Sequence, residues 1–466
     1  MSKIENLKKI CHLVKIEDNE SLIKKYSLDW RKRIYNKALC VVFPKNEEEV
    51  SRILKFCNKN NLKVIPQGGN TNLVASASPS LDKKEIIINF EKMNNINEID
   101  IINKCVDVDS GVIVDNLNQE LKKKDFFFPL EMASTGSSQI GGVVSTNAGG
   151  VNVLRYGSVR NNILALNVVL ATGDIIKLGS KVIKDNTGFN IKDLFCGSEG
   201  TLGIITKAIL RIFPKVNNTY DFFAAFENLS DVIFFYSEIS KKIKFPIVGF
   251  EMIPHLSFEL CKKHDFIKKS FFKKEYPYYI LVKIDVDFSS IKASETIENE
   301  LADLSTLYQD LIVAQNKQQS NDFWKFREDL TEAQKLEGKL IGFDVSIPLN
   351  YLNNFFDTCQ KQIDKILPNI KYHTFGHLGD SNIHYNLIEP SGFQDDFYHY
   401  EKEIKFIINS QIKKYEGSIS AEHGIGILKK DDLIKTKSSL EINMMKNIKK
   451  MLDPKNILNS NKIFDI

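Results

Sequence analysis

The seven cysteines, Cys11, Cys40, Cys57, Cys105, Cys196, Cys261 and Cys359, are odd in number, scattered, and never paired as CxxC. That spacing offers neither a disulfide framework nor an iron–sulfur cluster, and it fits a reducing compartment. Charge of one sign is also lacking. The 63 basic residues face 59 acidic ones for a net charge of +4, so nucleic acid is not indicated as a partner. Long apolar runs are absent, and the lysine-bearing N-terminus has no small-residue cleavage site. The expectation is therefore no signal peptide, no spanning helix and a cytoplasmic protein. No internal repeat is visible. What remains is a soluble globular chain of 466 residues, too long for one ordinary core, so two or more domains are expected.

In chain order, residues 1 to about 35 read as helical and amphipathic. From Ala38 the pattern becomes strand, helix, strand, with Val50, Ile53, Leu54 and Cys57 at helical spacing before the strand Lys63 to Ile65. This βαβ unit breaks into Gly68-Gly69-Asn70-Thr71-Asn72. Two glycines after a strand allow close backbone approach to a pyrophosphate, while the same residues also suit a plain turn. Strands are expected at Glu85 to Asn89 and Cys105 to Asp109, and a helix at Val114 to Lys123. The stretch Ser134 to Gly157 carries six glycines among Ser and Thr, with few charges. Alone it makes a poor helix or strand. It reads either as a linker or as a wrap around something anionic, and the interspersed Ile140, Val143, Val144, Val151 and Leu154 favour burial. A hairpin turning at Thr172-Gly173-Asp174 follows, then a glycine turn into a strand that Pro214 closes.

Beyond Tyr220, long helices and strands alternate. Arg327 and Thr331 sit four apart on one helix face. The order suggests an α+β sandwich of ferredoxin-like kind. Within it, TFGHLGDSNIHYN places His377 and His384 on either side of a Gly379-Asp380 turn, with Asn386 on the strand face of His384. AEHGIG adds Glu422 and His423. Two imidazoles and a carboxylate are three ligands for a divalent metal such as zinc, with a position open for substrate, and a neighbouring His serves as base. Histidines near a turn are also ordinary surface or core residues. Four of the eight histidines (His373, His377, His384, His423) nevertheless crowd these two stretches.

Five motifs in order, PQGGNTNLV, GSSQIGGVVSTNAGGVNVLRYG, GSEGTLGIIT, GHLGDSNIHYN with AEHGIG, and LDPKNILNSNKIF, resemble the flavin-linked 2-hydroxyacid dehydrogenases of the vanillyl-alcohol oxidase (PCMH-type) superfamily. Within it the branch most similar is D-2-hydroxyglutarate dehydrogenase, with D-lactate dehydrogenase and the glycolate oxidase flavoprotein subunit as relatives. The resemblance runs from about Ala38 to the C-terminus. It implies an α+β fold: a helical cap over 1–37, a two-subdomain PCMH-type FAD-binding domain over 38–215, a ferredoxin-like substrate and metal domain over 216–426, and a returning helical segment over 427–466. It implies FAD, held without a covalent bond because Pro66 to Pro79 contains neither His nor Cys. Pro66, Gly68, Gly69, Asn70, Thr71, Asn72 and Leu73 would hold the pyrophosphate. Ser134, Gly136, Ser137, Gly141, Gly142, Thr146, Asn147, Gly149, Glu199, Gly200, Leu202 and Ile204 would surround the isoalloxazine and ribityl chain. It further implies zinc on His377, His384 and Glu422, substrate contact by Asn386, His423 as base, and Arg327 with Thr331 as carboxylate anchor.

The implied reaction is oxidation of a D-2-hydroxy acid to the 2-oxo acid, with hydride passing to flavin and electrons then to an electron-transfer flavoprotein or a quinone. A homodimer is the assembly considered. The chain departs from the family in two places. Its turn is Gly379-Asp380-Ser381-Asn382 rather than GDGN, and Gly342 stands where hydroxyglutarate-type members commonly carry lysine. The second departure keeps D-lactate or glycolate open as substrate. A catalytically silent flavin-binding subunit would be expected to lose the three metal ligands, which this chain keeps.

Overall fold

The computed structural model describes residues 3–10, 14–80, 85–216, 218–286 and 291–466. The chain divides into two compact units. The first comprises Met1–Gly150, Gly157–Lys215 and Glu422–Ile466; the second comprises Val151–Tyr156 and Val216–Ala421.

The first unit contains two main sheets. In the four-stranded one, Val41–Phe43 and Lys63–Gln67 both run parallel to Glu85–Asn89 between them, the arrangement a βαβ crossover produces. The crossover helix Glu47–Asn60 starts at Asn46, whose side chain accepts the Glu49 N–H, and stops at Asn61 in the left-handed region (φ 51°). Its expected stripe, Val50, Ile53, Leu54 and Cys57, is fully buried. The N-terminal stretch is not wholly helical. Between helices Lys3–Ile10 and Glu20–Ser27, the strand Lys15–Glu17 pairs antiparallel with Val41–Phe43. An available sheet edge overrides local helical periodicity there. Cys11 lies outside the described residues; the other six cysteines are buried and form no disulfide. At the opposite edge, Val64 N–H donates to Ile457 O and Asn459 N–H donates to Val64 O, both at 2.7 Å, so the C-terminal segment lies along the sheet.

The second sheet of this unit is antiparallel, with order Ile96–Asp100, Cys105–Asp109, Ile204–Arg211, Ile163–Val169, Ile175–Gly179. The turn joining its last two strands has Gly173 at φ +86°, and a side chain there would meet Ser51 O at 2.8 Å. The glycine-rich stretch does form a helix, Ile140–Thr146. Ile140, Val143 and Val144 are buried in the core with Val108, Val114 and Leu117, and that packing outweighs the low propensity of Gly141-Gly142.

The second unit is one seven-stranded antiparallel sheet in the order Asp310–Val313, Asn218–Phe226, Tyr278–Val286, Ile247–Pro254, Lys371–His377, Asn382–Ile388, Leu340–Ser346. Helices complete the mixed α+β architecture. An aromatic core anchors helix Lys317–Glu337 to the sheet: Phe323 and Phe326 lie 5.0 and 6.2 Å, centroid to centroid, from Phe223. Among the described residues, no helix is long and apolar enough to cross a membrane.

Candidate functional site

In the second unit, register brings the predicted residues together. Strands Ile247–Pro254 and Lys371–His377 pair so that Glu251 stands directly opposite His377. Glu251 Oε1 lies 2.7 Å from His377 Nδ1, and its Oε2 accepts from Arg327 Nε at 2.8 Å. Glu251 is completely buried. Burial pushes its carboxyl up, but His377 and Arg327 outweigh this and hold it down at about 2. Arg327, buried on its helix, lies with its guanidinium carbon 4.9 Å from the centre of the Phe375 ring. Thr331, one turn on, is half-buried.

After His377 the chain makes a single 3-10 turn, Leu378–Asp380, and Ser381 takes the left-handed position (φ 68°) before strand Asn382–Ile388. This is the position where the GDGN pattern has its second glycine, and serine occupies it at a cost of about 1 kcal/mol. Burial pushes the Asp380 carboxyl up to about 6 against the opposing effect of His377. The turn sets the rings of His377 and His384 edge-to-face with centroids 5.6 Å apart. Asp344, the register partner of His384, has Oδ1 3.9 Å from His384 Nδ1 and accepts from Asn382 Nδ2 at 2.9 Å. Each of the two histidines thus has a carboxylate on its Nδ1 side, hydrogen-bonded at His377 and farther off at His384, and at His377 that bond leaves the other ring nitrogen as the one available to ligate.

Asn386 follows on the same strand, with Nδ2 donating to Gln334 Oε1 at 3.0 Å. His373 is a core residue: fully buried, it engages Gln334 Oε1 through Nδ1 and Ser257 Oγ through Nε2, both at 2.9 Å. Burial, with the charge of Arg327, pushes its pKa down to about 3. Gly342 stands opposite Asn386, and a side chain there would begin 2.7 Å from Asn386 Oδ1. Ala421 N–H bonds Asp344 O at 3.4 Å, and the peptide bond after it leads into Glu422.

In the first unit the two glycine-rich motifs meet. A side chain at Gly69 would start 1.8 Å from Ser137 O, and Gly68 faces Gln139. Thr71 Oγ1 and Ser138 Oγ are 3.0 Å apart, with Ser134 Oγ a further 2.9 Å from Ser138 Oγ. The asparagine amides tie the loop to its surroundings. Asn70 Nδ2 donates to Leu28 O at 2.8 Å, and Asn72 Oδ1 accepts the N–H groups of Val74 and Ser76 at 3.0 Å each. Asn72 Nδ2 donates to His423 O at 3.2 Å. Pro66, the penultimate residue of its strand, lies against Gly200 (φ +70°), where a side chain would begin 2.4 Å from Pro66 Cγ. Gly136 lies near Asp115 and Gly141 against Ser110. Thr146 Oγ1 donates to Gly142 O at 3.1 Å, and Asn147 (φ 50°) accepts from Ser158 and Arg160. Leu202 is half-buried and Ile204 sits in the core. Glu199 is buried in the left-handed region (φ 50°), and its carboxylate accepts Ile425 N–H at 2.7 Å and Gly426 N–H at 2.9 Å. It thereby fixes the segment that carries Glu422 and His423. Burial pushes its pKa up, opposed by those two N–H groups.

Sequence reading passed over Glu251, Asp344 and Gln334. A signal existed for Glu251: it is a lone carboxylate inside the apolar strand IVGFEMIP, and such a residue needs partners to be buried.

The fold is shared with solved structures. 4-ethylphenol oxidase from Gulosibacter chungangensis superposes at TM-score 0.77 with 15% identity, over 99% of this chain and 98% of that one. Two family models that together cover most of the chain define the class, an FAD-binding oxidoreductase. More particularly, the chain belongs to the FAD-linked oxidases: residues 38–179 match the FAD binding domain, and residues 214–463 match the C-terminal domain of FAD linked oxidases. It is 35% identical to "D-2-hydroxyglutarate dehydrogenase, mitochondrial" of Danio rerio, over 95% of this chain and 81% of that protein. "D-2-hydroxyglutarate dehydrogenase" of Stutzerimonas stutzeri is 30% identical over 99% and 98% of the two chains. A putative mitochondrial D-lactate dehydrogenase of Schizosaccharomyces pombe is 34% identical over 93% and 83%.

The first unit fits FAD. Gly142 has nothing within 4 Å of where a side chain would start, and the neighbouring Gln139 Oε1 is buried without a hydrogen-bond partner. Backbone and small polar groups around them suit a phosphate-bearing cofactor. The donor set fits a cation as well, since two imidazoles, one of them oriented by the Glu251 carboxylate, are ready ligands.

Proposed function

We propose that the protein oxidises a D-2-hydroxy acid to its 2-oxo acid, with D-2-hydroxyglutarate the first candidate. The observation that carries this reading is the cluster in the second unit: two histidines, each with a carboxylate beside Nδ1, next to a buried arginine held by Glu251. The names borne by full-length relatives support the substrate class. In this reading His377, His384 and Glu422 hold a divalent cation, zinc being the first choice for two imidazoles and a carboxylate, with manganese and iron admitted by the same donors. Bound there, the cation supplies Lewis acidity that eases loss of the substrate hydroxyl proton. FAD held in the first unit would supply the acceptor for the α-hydrogen together with its electron pair, a hydride. Arg327 holds the substrate carboxylate with the Nη side of its fork, its Nε being engaged by Glu251. Asn386, braced by Gln334, contacts the substrate beside it, with Thr331 on the Arg327 face of the helix. His423 takes the hydroxyl proton on a ring nitrogen. Non-covalent FAD rests on the residues named above along the loop 66–73, the segment 134–149 and Glu199 to Ile204.

The electrons pass to an external acceptor, an electron-transfer flavoprotein or a quinone, because the scattered cysteines supply no relay. Six buried cysteines that form no disulfide among the described residues support a reducing compartment, with the cytoplasm as first assignment. A second reading, D-lactate or glycolate as substrate, is favoured by Gly342: beside Asn386 it offers no cation for a second carboxylate.

Chelation tests the metal role. Enzyme stripped of metal is expected to lose turnover of its best 2-hydroxy acid and to regain it with zinc, manganese or ferrous iron. Full turnover in verified metal-free enzyme would remove the cation from the account.

A further inference from the structure

We propose that Glu251 is a positioning residue that couples cation binding to substrate-carboxylate binding, by fixing the tautomer of His377 and the direction of the Arg327 guanidinium at once. This rests on the function proposed above.

A carboxylate with no solvent exposure loses several kcal/mol of hydration and persists only when both oxygens are satisfied. Here one oxygen goes to each partner, His377 Nδ1 at 2.7 Å and Arg327 Nε at 2.8 Å. An ionised carboxylate only accepts, so in both contacts the proton belongs to the partner. His377 therefore carries its proton on Nδ1, which leaves the Nε2 lone pair as the ligand. The bond at Arg327 Nε removes rotation of the guanidinium and aims its Nη pair in one direction, with the Phe375 ring 4.9 Å away as a further restraint. Glu251 and His377 are cross-strand register partners, so the backbone ladder sets their separation, while Arg327 arrives from a helix. One side chain thus joins three elements at the point where metal and substrate are proposed to bind.

The test compares wild type, Glu251→Gln and Glu251→Asp as FAD-loaded full chains. A glutamine must present its NH2 to one of the two donors. Facing Arg327 it loses the guanidinium; facing His377 it forces the opposite tautomer. Zinc affinity is measured by competition with a chromophoric chelator, and KM and kcat are measured at saturating zinc. Glu251→Gln is expected to weaken zinc by roughly 10–100-fold, and its KM for the 2-hydroxy acid is expected to stay raised after zinc saturates. Glu251→Asp, which keeps the charge, is expected to recover part of both. A merely structural role would lower the melting temperature without a KM change that zinc fails to restore. Wild type that binds no zinc overturns the metal reading together with this inference. Wild type that binds zinc no more than twofold better than Glu251→Gln, with equal KM, overturns the positioning role alone. Should the variants lose FAD or fold poorly, 15N spectra of histidine-labelled, zinc-loaded wild type decide: His377 protonated on Nδ1 is expected, and protonation on Nε2 refutes the proposal.

Discussion

Replacing His373 with glutamine isolates the effect of one buried imidazole on acid stability. His373 is fully buried and bonded at both nitrogens, and its pKa is pushed from 6.5 down to about 3 by burial and by Arg327. Because the folded value lies below the unfolded one, the unfolded chain binds the proton first as pH falls. The stability is therefore complete above about pH 6.5 and is lost progressively towards pH 3. At pH 5 the unfolded imidazole is about 1.5 units below its pKa while the folded one remains neutral, which at 1.36 kcal/mol per unit costs about 2 kcal/mol. For a unit of this size that is about 4–8 °C in melting temperature. Differential scanning calorimetry at pH 8 and pH 5 reads it as the extra downward shift of the second unit's transition in wild type compared with His373→Gln. Any fixed structural cost of the glutamine is present at both pH values and cancels, as do groups such as Asp380 that titrate in both proteins. Parallel shifts in the two proteins would show that His373 takes up its proton without penalty, and the burial argument would fail.

Loss of the Glu199 carboxylate in Glu199→Ala leaves Ile425 N–H and Gly426 N–H unsatisfied, at roughly 1–3 kcal/mol each. The first unit's melting transition is expected to fall accordingly, with weaker FAD retention on gel filtration; an unchanged transition would mean that water replaces the carboxylate. Gly342→Ala places a methyl 2.7 Å from Asn386 Oδ1 and must displace that amide. At a cost of about 1 kcal/mol the KM for the 2-hydroxy acid is expected to rise roughly fivefold, whereas an unchanged KM would remove Asn386 from substrate contact. Glu251, held at about 2, contributes stability above its ordinary range that is lost as pH falls from about 4.5 towards 2. Glu251→Gln should therefore flatten the acid limb of an unfolding curve followed by circular dichroism.

Much of this architecture is local and was legible in the sequence. The stripe Val50, Ile53, Leu54 and Cys57 declares its helix, and the strands Glu85–Asn89 and Cys105–Asp109 have the bounds their patterns imply. The His377 and His384 pair was visible because one short turn joins them. Long-range pairing was not legible. Glu251 meets His377 across 126 residues, and Glu199 meets Ile425 across 226, so only strand register and chain return bring them together. Helix Ile140–Thr146 was hidden for a related reason: its stability comes from the core it packs on and not from its own residues. The strand Lys15–Glu17 exists because a sheet edge is there to receive it.

The most direct test of the central claim is anaerobic flavin absorbance after separate addition of D-2-hydroxyglutarate, D-lactate, D-malate and glycolate, with and without prior chelation. Bleaching by one of these acids, abolished by chelator and restored by zinc, is the expected result, and the acid that bleaches names the substrate. A flavin that none of them reduces, with zinc present, would contradict the account.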